Sequence, residues 1–284
     1  LACATVAAGR GHRVTLFDAA TEIGGQFNYA KKIPGKEEFH ETIRYFTHQL
    51  QETGVEVKLS SPVSAAALAG FDEVVLATGI TPRKIDFPGS DHAKVVSYID
   101  VLGGRVHVGQ RAALIGAGGI GFDVAEYLVH KGESSTLDPK RWMAEWGVDP
   151  TFETRGSLVK PQPEAPAREV WLLQRSAGKP GARLGKTSGW VHRATLKAKQ
   201  VKMLGGVEYL GVNDSGLKIR IDGSEQLLPV DHVVVCAGQE PRRELQAELL
   251  AAGITAHLIG GADVAAELDA KRAIDQGSRL AAAL

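Results

Sequence analysis

The stretch RAALIGAGGIGFDVAEY at residues 111–127 decides the fold class of this chain. An apolar run leads into glycines spaced GxGxxG, at Gly116, Gly118 and Gly121, and an apolar helical pattern follows them. In such a strand–turn–helix unit the first glycine permits a tight turn, the second lets backbone approach a pyrophosphate, and the third lets the helix pack closely on the strand. We therefore expect a dinucleotide site here, with Gly119 in the same turn. A plain glycine-rich turn is the alternative.

The strand that follows indicates which dinucleotide binds. A site for NAD usually has an acidic residue at the end of this strand, which accepts from the ribose 2′-hydroxyl, whereas NADP needs cations there. The strand EVWLLQRS (169–176) ends in Gln174 and Arg175, Lys179 follows, and no acid stands at this place. Because a guanidinium can hold a phosphate with two parallel hydrogen bonds, we expect NADPH. The alternative is that Arg175 and Lys179 belong to a solvated loop.

A second nucleotide site is expected near the amino terminus. The Ala-rich pattern at 1–9 predicts a helix, and HRVTLFD (12–18) predicts a short strand that ends in Asp18. If a GxGxxG lay just before residue 1, Asp18 would follow it by the ~20 residues typical of a ribose-binding acid. The pattern therefore indicates a dinucleotide domain whose first strand and fingerprint are missing; a surface aspartate is the alternative. IGGQF (23–27) offers glycine backbone near the same nucleotide, whereas ATG (77–79) and IGGADV (259–264) can bring backbone close to a bound flavin. Asp263 can accept from a polyol hydroxyl. For each segment taken singly, a plain turn is the alternative.

The rest of the chain alternates strands with helices, which predicts doubly wound α/β domains with parallel sheets. The apolar spacing of EEFHETIRYFTHQLQETG (37–54) predicts an amphipathic helix, and tight turns are predicted at Asn213–Gly216 and Asp222–Gly223. A buried strand followed by glycine occurs twice, as VVLATG (74–79) and VVVCAG (233–238), so two similar nucleotide-binding domains are expected. Residues 131–167 show no clear period and are interpreted as an irregular insertion, which explains the long spacing between the glycine turn and Arg175. Residues 267–284 are expected to form the closing helix.

The bulk properties favour an ordinary globular protein. Lys+Arg and Asp+Glu number 33 each, so the chain has no net charge that would attract nucleic acid or an anionic membrane. No run of 18 apolar residues predicts a membrane span. Cys3 and Cys236 form no CxxC pair, so neither a metal site nor a dithiol centre is expected. We expect a cytoplasmic protein.

Six segments together resemble the carboxy-terminal half of bacterial NADPH-dependent 2,4-dienoyl-CoA reductases, which belong to the old-yellow-enzyme-related iron–sulfur flavoproteins. The resemblance covers nearly the whole chain, and the segment 174–193 is the most specific part. The segments are EIGGQFNYAKKIPGKEEF (22–39), VVLATGITPR (74–83), LIGAGGIGFDVAEYL (114–128), QRSAGKPGARLGKTSGWVHR (174–193), VVVCAGQEPRREL (233–245) and HLIGGADVAAELDAKRAIDQG (257–277).

This resemblance implies two Rossmann-like domains, with an NADPH domain (101–244) inserted into an FAD domain (1–100 and 245–284). Hydride would pass from NADPH to FAD. Electrons would then pass through a 4Fe–4S cluster to FMN in a TIM-barrel half that is missing here and that holds the acyl-CoA site, in fatty-acid β-oxidation. The implied FAD contacts are Asp18, Gly24, Gly25, Gln26, Thr78, Gly79 and Asp263. The implied NADPH contacts are Gly116, Gly118, Gly119, Gly121, Gln174, Arg175 and Lys179.

Hydride transfer between two stacked rings needs position and electrostatics rather than a protein acid or base. No catalytic side chain and no metal ligand are therefore expected on this chain, and His192 is expected to have a structural role. Two other functions stay open. One is a sister NAD(P)H:flavin oxidoreductase that acts on a different enone or on an amine, because substrate is selected in the missing half. The other is a structural ADP-binding module without turnover.

Overall fold

The computed structural model describes residues 1–266 and 269–284. The helices and strands alternate along most of the chain, as the sequence predicts. In chain order they are α1 (Ala2–Gly9), β1 (Thr15–Phe17), α2 (Phe27–Ala30), α3 (Phe39–Glu52), β2 (Glu56–Lys58), α4 (Ala65–Leu68), β3 (Val74–Leu76), β4 (Ile80–Pro82), β5 (Val95–Ser97), α5 (Tyr98–Leu102), β6 (Arg111–Ile115), α6 (Gly119–Val129), α7 (Pro139–Trp146), β7 (Glu169–Leu173), α8 (Gly189–Ala198), β8 (Lys202–Leu204), β9 (Glu208–Asn213), β10 (Gly216–Ile221), β11 (Ser224–Leu228), β12 (His232–Val235), β13 (Gln239–Pro241), α9 (Glu244–Ala251), β14 (Ala256–Leu258) and α10 (Ala270–Ala283).

The chain forms two compact units. The first unit contains Leu1–Asn28, Glu38–Arg83 and Gly238–Leu284, and the second contains Tyr29–Glu37 and Lys84–Ala237. These boundaries differ from the expected 1–100, 101–244 and 245–284. Residues 84–100 join the second unit because β5 pairs in parallel with β12, and residues 238–244 join the first because β13 pairs with β4.

The second unit is built on a five-stranded parallel sheet with the order β5-β12-β6-β7-β8. Its central strands are buried on both faces, which is why their sequences are continuous apolar runs. On one face Leu114 and Leu172 pack with the helices α5, α6 and α8, where Phe122 and Leu196 are buried. Parallel strands with helices between them confirm the α/β fold class expected from the sequence.

The opposite face of this sheet is covered by strands instead of helices. The antiparallel sheet β9-β10-β11 packs Leu217 and Ile219 against Ile115 and Leu173 of the parallel sheet. Its two tight turns lie at Asn213–Gly216 and Ile221–Ser224, as the sequence predicts for the turns at 213–216 and 222–223.

The segment Tyr29–Glu37 leaves the first unit and is anchored in the second. Ile33 is 1% exposed and belongs to the core beneath the parallel sheet. Lys32 Nζ donates to the carbonyl of Leu102 at 2.7 Å, and Lys36 Nζ contacts both carboxylate oxygens of Asp123 at 2.6 and 2.7 Å. The sequence did not predict that this segment is anchored, because it is short and its few apolar residues follow neither the helix nor the strand period.

The first unit contains two short parallel pairs, β1–β2 and β3–β14, and one antiparallel pair, β4–β13. The helices α1 and α3 stand where the amino-terminal patterns predict them. The closing helix begins at Ala270 and is capped by the Asp269 carboxylate, which accepts from the N–H of Arg272 at 2.7 Å. The first two residues of the predicted closing helix, 267 and 268, lie outside the described residues.

Residues 131–167 contain more regular structure than expected. The helix α7 begins after Asp138, whose carboxylate accepts from the N–H groups of Lys140 and Arg141, and Pro139 occupies its first turn. It ends at Gly147, which has a φ of +70°. An Asp-Pro start and a glycine end are ordinary helix signals, so the expectation of an irregular insertion was wrong over 139–146.

None of the helices in the described part of the chain combines the length and the apolar character that crossing a bilayer requires.

We predict that Ile33→Ala lowers the free energy of unfolding of the second unit by about 2–5 kcal/mol, because it empties a fully buried position. Leu158→Ala is the matched control: this side chain is in the same unit but 68% exposed, so its loss should cost less than about 0.5 kcal/mol. Urea denaturation of the two variants measures the difference. Equal small effects would contradict the anchoring of Tyr29–Glu37.

Candidate functional site

The glycine turn follows the carboxyl end of β6, and two of its glycines are required by packing. Gly116 has a φ of +112°, and a Cβ atom there would lie 2.7 Å from the carbonyl oxygen of Cys236. A Cβ atom on Gly121 would overlap the carbonyl oxygen of Gly116 and lie 3.3 Å from Cδ1 of Leu172. Strand β6 and helix α6 therefore meet at a distance that only glycine permits.

The other two glycines of the turn face open space. A Cβ atom added to Gly118 or to Gly119 would meet no atom within 4 Å. The first helical hydrogen bond of α6 runs from the N–H of Phe122 to the carbonyl of Gly118 at 3.1 Å, so the N–H groups before it have no helical acceptor. Bare backbone and free N–H donors at the positive end of a helix are what an anionic pyrophosphate requires, and the turn fits that group.

The loop after β7 carries the residues expected to distinguish NADPH from NADH. Arg175 and Lys179 are exposed, and in the described part of the chain neither side chain forms an ion pair. Gln174, expected as a nucleotide contact, uses its amide within the loop: Nε2 donates to the carbonyls of Ser176 and Gly178 at 3.0 and 3.3 Å. The loop thus presents two unpaired cations on a backbone that Gln174 holds.

Further contacts that the sequence analysis did not identify fix the middle of this loop. Gly181 has a φ of +73°, and a Cβ atom there would lie 2.6 Å from the ring of Phe122 on α6. Arg193 of α8 donates from Nη1 to the carbonyl of Gly181 at 2.8 Å. Gly181 and Arg193 both lie within the segment 174–193 that carries the strongest resemblance. The sequence pointed to this segment but not to the packing role of these two residues.

Helices α6 and α8 are joined by a polar pair of one buried and one half-buried side chain. Nδ1 of His192 lies 2.8 Å from Oε1 of Glu126, whose side chain is 8% exposed. Burial raises the pKa of the Glu126 carboxyl, and the hydrogen bond to Glu126 raises the pKa of His192. The pair therefore retains a proton to higher pH than either group would in water.

Cys236 lies beside this turn. It is buried at the end of β12, and desolvation raises its pKa well above the ordinary value for a thiol. Burial also raises the pKa of the Cys3 thiol. Because the thiolate is the reactive form, neither group has the character of a nucleophile or a disulfide-exchange centre.

In the first unit, Asp18 and the loop 24–26, which were expected to contact a nucleotide, follow the parallel strand β1. Asp18 comes directly after β1, and its Oδ1 accepts from the N–H of Ala20 at 2.9 Å. Gly24 and Gly25 have φ values of +119° and +51°, and a Cβ atom on Gly25 would meet nothing within 4 Å. Gln26 is exposed beside them. A Cβ atom on Gly24 would instead lie 3.0 Å from Nδ2 of Asn28 and 3.1 Å from Cδ1 of Ile43, so the open backbone of this loop is that of Gly25.

Two arginines missed by the sequence analysis bring Thr78, Gly79 and Asp263 together. The N–H of Arg242 donates to the carbonyl of Gly79 at 3.0 Å, and Thr78 Oγ1 donates to the carbonyl of Arg242 at 2.5 Å. Arg243 donates from Nε to the carbonyl of Ala262 at 2.6 Å and from Nη2 to that of Asp263. In a sequence, two consecutive arginines suggest only surface charge. Their contacts with the backbone of distant loops could therefore not be predicted.

The Asp263 carboxylate is oriented from α10. Its Oδ2 accepts from Nε2 of Gln276 at 2.7 Å, and Oε1 of Gln276 accepts from the N–H of Gly260 at 2.7 Å. A cavity of 610 Å³ lies beside these side chains, lined also by His257 and Arg272. Within residues 1–266 and 269–284 no hydrogen bond to Oδ1 of Asp263 is found, so this oxygen could accept from a hydroxyl group.

The whole chain is similar to known flavin- and nucleotide-dependent enzymes. The family model described as pyridine nucleotide-disulphide oxidoreductase matches residues 1–270. A metal reductase of Desulforamulus reducens is 29% identical over 250 residues, which are 85% of this chain and 36% of that protein. A cinnamate reductase of Clostridium sporogenes is 36% identical over 141 residues, which are 47% of this chain and 20% of that protein.

Among solved structures, the complex of 2-naphthoyl-CoA reductase with 2-naphthoyl-CoA shares the fold, with a TM-score of 0.81 and 24% identity. The match covers 100% of this chain and 38% of that one. The chain thus spans little more than a third of the length of the first of these relatives and of this structure.

We predict that alanine separates the two kinds of glycine in the turn. Gly121→Ala should lower the free energy of unfolding by about 3 kcal/mol, since the new methyl group overlaps backbone. Gly118→Ala should change it by less than about 0.5 kcal/mol, because φ is −88° and the space is open, and should weaken binding of a pyrophosphate-containing nucleotide. Urea denaturation and titration calorimetry measure the two effects. Equal destabilisation would contradict an open cradle at Gly118.

Proposed function

The chain belongs to the pyridine nucleotide-disulphide oxidoreductase family, and on that premise we propose that its second unit binds NADPH and its first unit binds FAD, which takes the hydride. Family membership makes the chain an oxidoreductase of a class that uses FAD and a nicotinamide nucleotide. The nicotinamide supplies hydride to the flavin when both are bound. The residues of this chain bind and orient the two groups.

The observation that carries the proposal is the pairing of an open glycine cradle with a loop of unpaired cations. The N–H groups after Gly118 would hold the pyrophosphate. Arg175 and Lys179 would then meet the adenosine 2′-phosphate, because they follow the strand next to β6 and pair with no carboxylate among the described residues. Gln174 would act through the loop backbone and not as a contact.

FAD would use the first unit. Asp18 would accept from the adenosine ribose, and the loop of Gly24, Gly25 and Gln26, whose backbone is open at Gly25, would lie against the same nucleotide. Thr78 and Gly79 would bring backbone close to the flavin. Asp263, oriented by Gln276, would accept from the ribityl chain. None of these roles requires a protein acid or base, so His192 has no part in the transfer of hydride.

We further propose that this chain is the electron-input portion of a larger reductase of the 2,4-dienoyl-CoA class, with FMN, a 4Fe–4S cluster and the acyl-CoA site in the remainder. Three observations support this: the relatives are much longer than the chain, one structural neighbour is a reductase of an unsaturated acyl-CoA, and the segment 174–193 carries the resemblance stated above. A sister reductase of another enone is the second candidate, favoured by the 36% identity to cinnamate reductase.

The cofactor preference is tested by anaerobic stopped-flow absorbance of the flavin in the FAD-loaded protein. NADPH should bleach the flavin much faster than NADH at equal subsaturating concentration. Arg175→Asp should raise the KM for NADPH by about 10–100-fold, since charge-assisted hydrogen bonds contribute about 1.5–3 kcal/mol, and should spare NADH.

Arg155→Asp makes the same charge change at another exposed arginine of the second unit and should leave both nucleotides unaffected. Equal bleaching by NADPH and NADH in the unmodified protein would refute the NADPH preference. Parallel effects of the two variants would show that Arg175 does not contact the 2′-phosphate.

A further inference from the structure

We propose that Glu126 and His192 form a positioning pair, the α6–α8 latch, which holds the loop 175–188 so that its cations can meet a 2′-phosphate. The inference rests on the proposed use of NADPH and adds two residues that contact no nucleotide. It concerns specificity: the latch would favour a nucleotide with a 2′-phosphate over one without it.

The latch lies between the two parts of the candidate site. Glu126 is on α6, the helix that begins in the glycine cradle at Gly119. His192 is on α8, in the first turn after the loop that carries Arg175 and Lys179. The 2.8 Å contact between Nδ1 and Oε1 therefore fixes the downstream end of the loop to the helix that would hold the pyrophosphate.

The rest of the loop has contacts that depend on the same helix position. Arg193, the residue after His192, donates to the carbonyl of Gly181, and Gly181 packs against Phe122 of α6. The N–H of Gly189 donates to the carbonyl of Gly185 at 2.7 Å. A rotation of α8 would therefore displace the loop at both of these points. The upstream end is held separately by Gln174.

The charges around the latch come from two other side chains. Asp123 lies on the same face of α6, and Lys36 from the anchored segment Tyr29–Glu37 pairs with it at 2.6 Å. Asp123 and Lys36 both act electrostatically on Glu126 and on His192, with opposite signs. Burial and the hydrogen bond within the latch have larger effects on both pKa values than either of these charges.

A partly buried carboxylate–imidazole pair contributes little net attraction between two helices. Desolvation of the charges cancels much of their attraction, and well-packed apolar side chains often stabilise as much or more. The pair instead determines the orientation of α8. A hydrogen bond fixes one rotation of α8 relative to α6, whereas apolar contacts permit several. A fixed rotation matters for a loop that must present a cation within hydrogen-bond distance of a phosphate.

The test compares 2′,5′-ADP with ADP as probes, so that the ratio of their dissociation constants isolates the 2′-phosphate. Binding to the full chain is measured by titration calorimetry. The double variant Glu126→Met with His192→Leu keeps the packing and removes the latch. We expect its ratio to fall at least about tenfold, the loss of one charge-assisted phosphate contact. Glu126→Gln, which keeps an acceptor for Nδ1, should retain most of the ratio.

A matched control is available at the other end of α8. Lys199 and Glu145 form a largely buried pair at 2.9 Å that joins the end of α8 to α7. The double variant Lys199→Met with Glu145→Leu should leave the ratio unchanged. If the latch variant keeps the ratio, or if the control lowers it equally, the latch is overturned. If the unmodified protein binds the two probes equally, the proposed NADPH function itself fails.

A pH profile provides a second readout for variants that fold poorly. The pKa values of His192 and Glu126 are both raised in the folded protein. The folded state therefore holds more protons than the unfolded chain, and the contribution of the latch to stability is complete at low pH and is lost as pH rises through the raised pKa of His192. The melting temperature of the unmodified protein, minus that of the Glu126→Gln variant, should fall as pH rises from about 6 to 9. A flat difference would contradict a proton held by the pair.

Discussion

The contact between Gly121 and the carbonyl of Gly116 is the constraint on which the second unit depends. It lets α6 lie against β6 without any side chain between them, and the sheet and the helix then share one core. The first N–H groups of α6 come before its first helical hydrogen bond, next to the open space at Gly118 and Gly119. Packing and ligand binding are thus assigned to different glycines of one turn: two are needed for the fold, and two leave backbone bare.

Around this turn, polar contacts fix the positions of loops, whereas apolar contacts pack the sheets and helices together. The parallel sheet is apolar on both faces and would pack in much the same way with other large aliphatic residues. The loops around it have no such tolerance. Gln174 holds the upstream end of the cation loop, Arg193 holds its middle, and the pair Glu126–His192 holds the helix that follows. In the first unit, Arg242 and Arg243 do the same for the backbone at Gly79 and Asp263.

Hydrophobic periodicity and glycine spacing were enough to predict the fold class and many of the secondary-structure elements. The strand–turn–helix at 111–127, the buried strands and the two tight turns of the antiparallel sheet followed from apolar patterns and turn residues. The sequence did not predict that strands cover one face of the parallel sheet, because the partners of a strand are set by contacts between residues far apart in sequence. The anchoring of Ile33 escaped for a similar reason: one buried side chain in a short segment makes no pattern. The helix α7 was readable from Asp138 and Pro139 and was overlooked.

The central claim is that the glycine turn and the cation loop together receive NADPH. Hydrogen–deuterium exchange of the full chain, with and without each nicotinamide nucleotide, tests it directly. NADPH should slow exchange of the amides at 119–121 and at 175–181, whereas NADH at equal occupancy should slow exchange at 119–121 alone. Unchanged exchange at 119–121 in saturating NADPH would contradict the account.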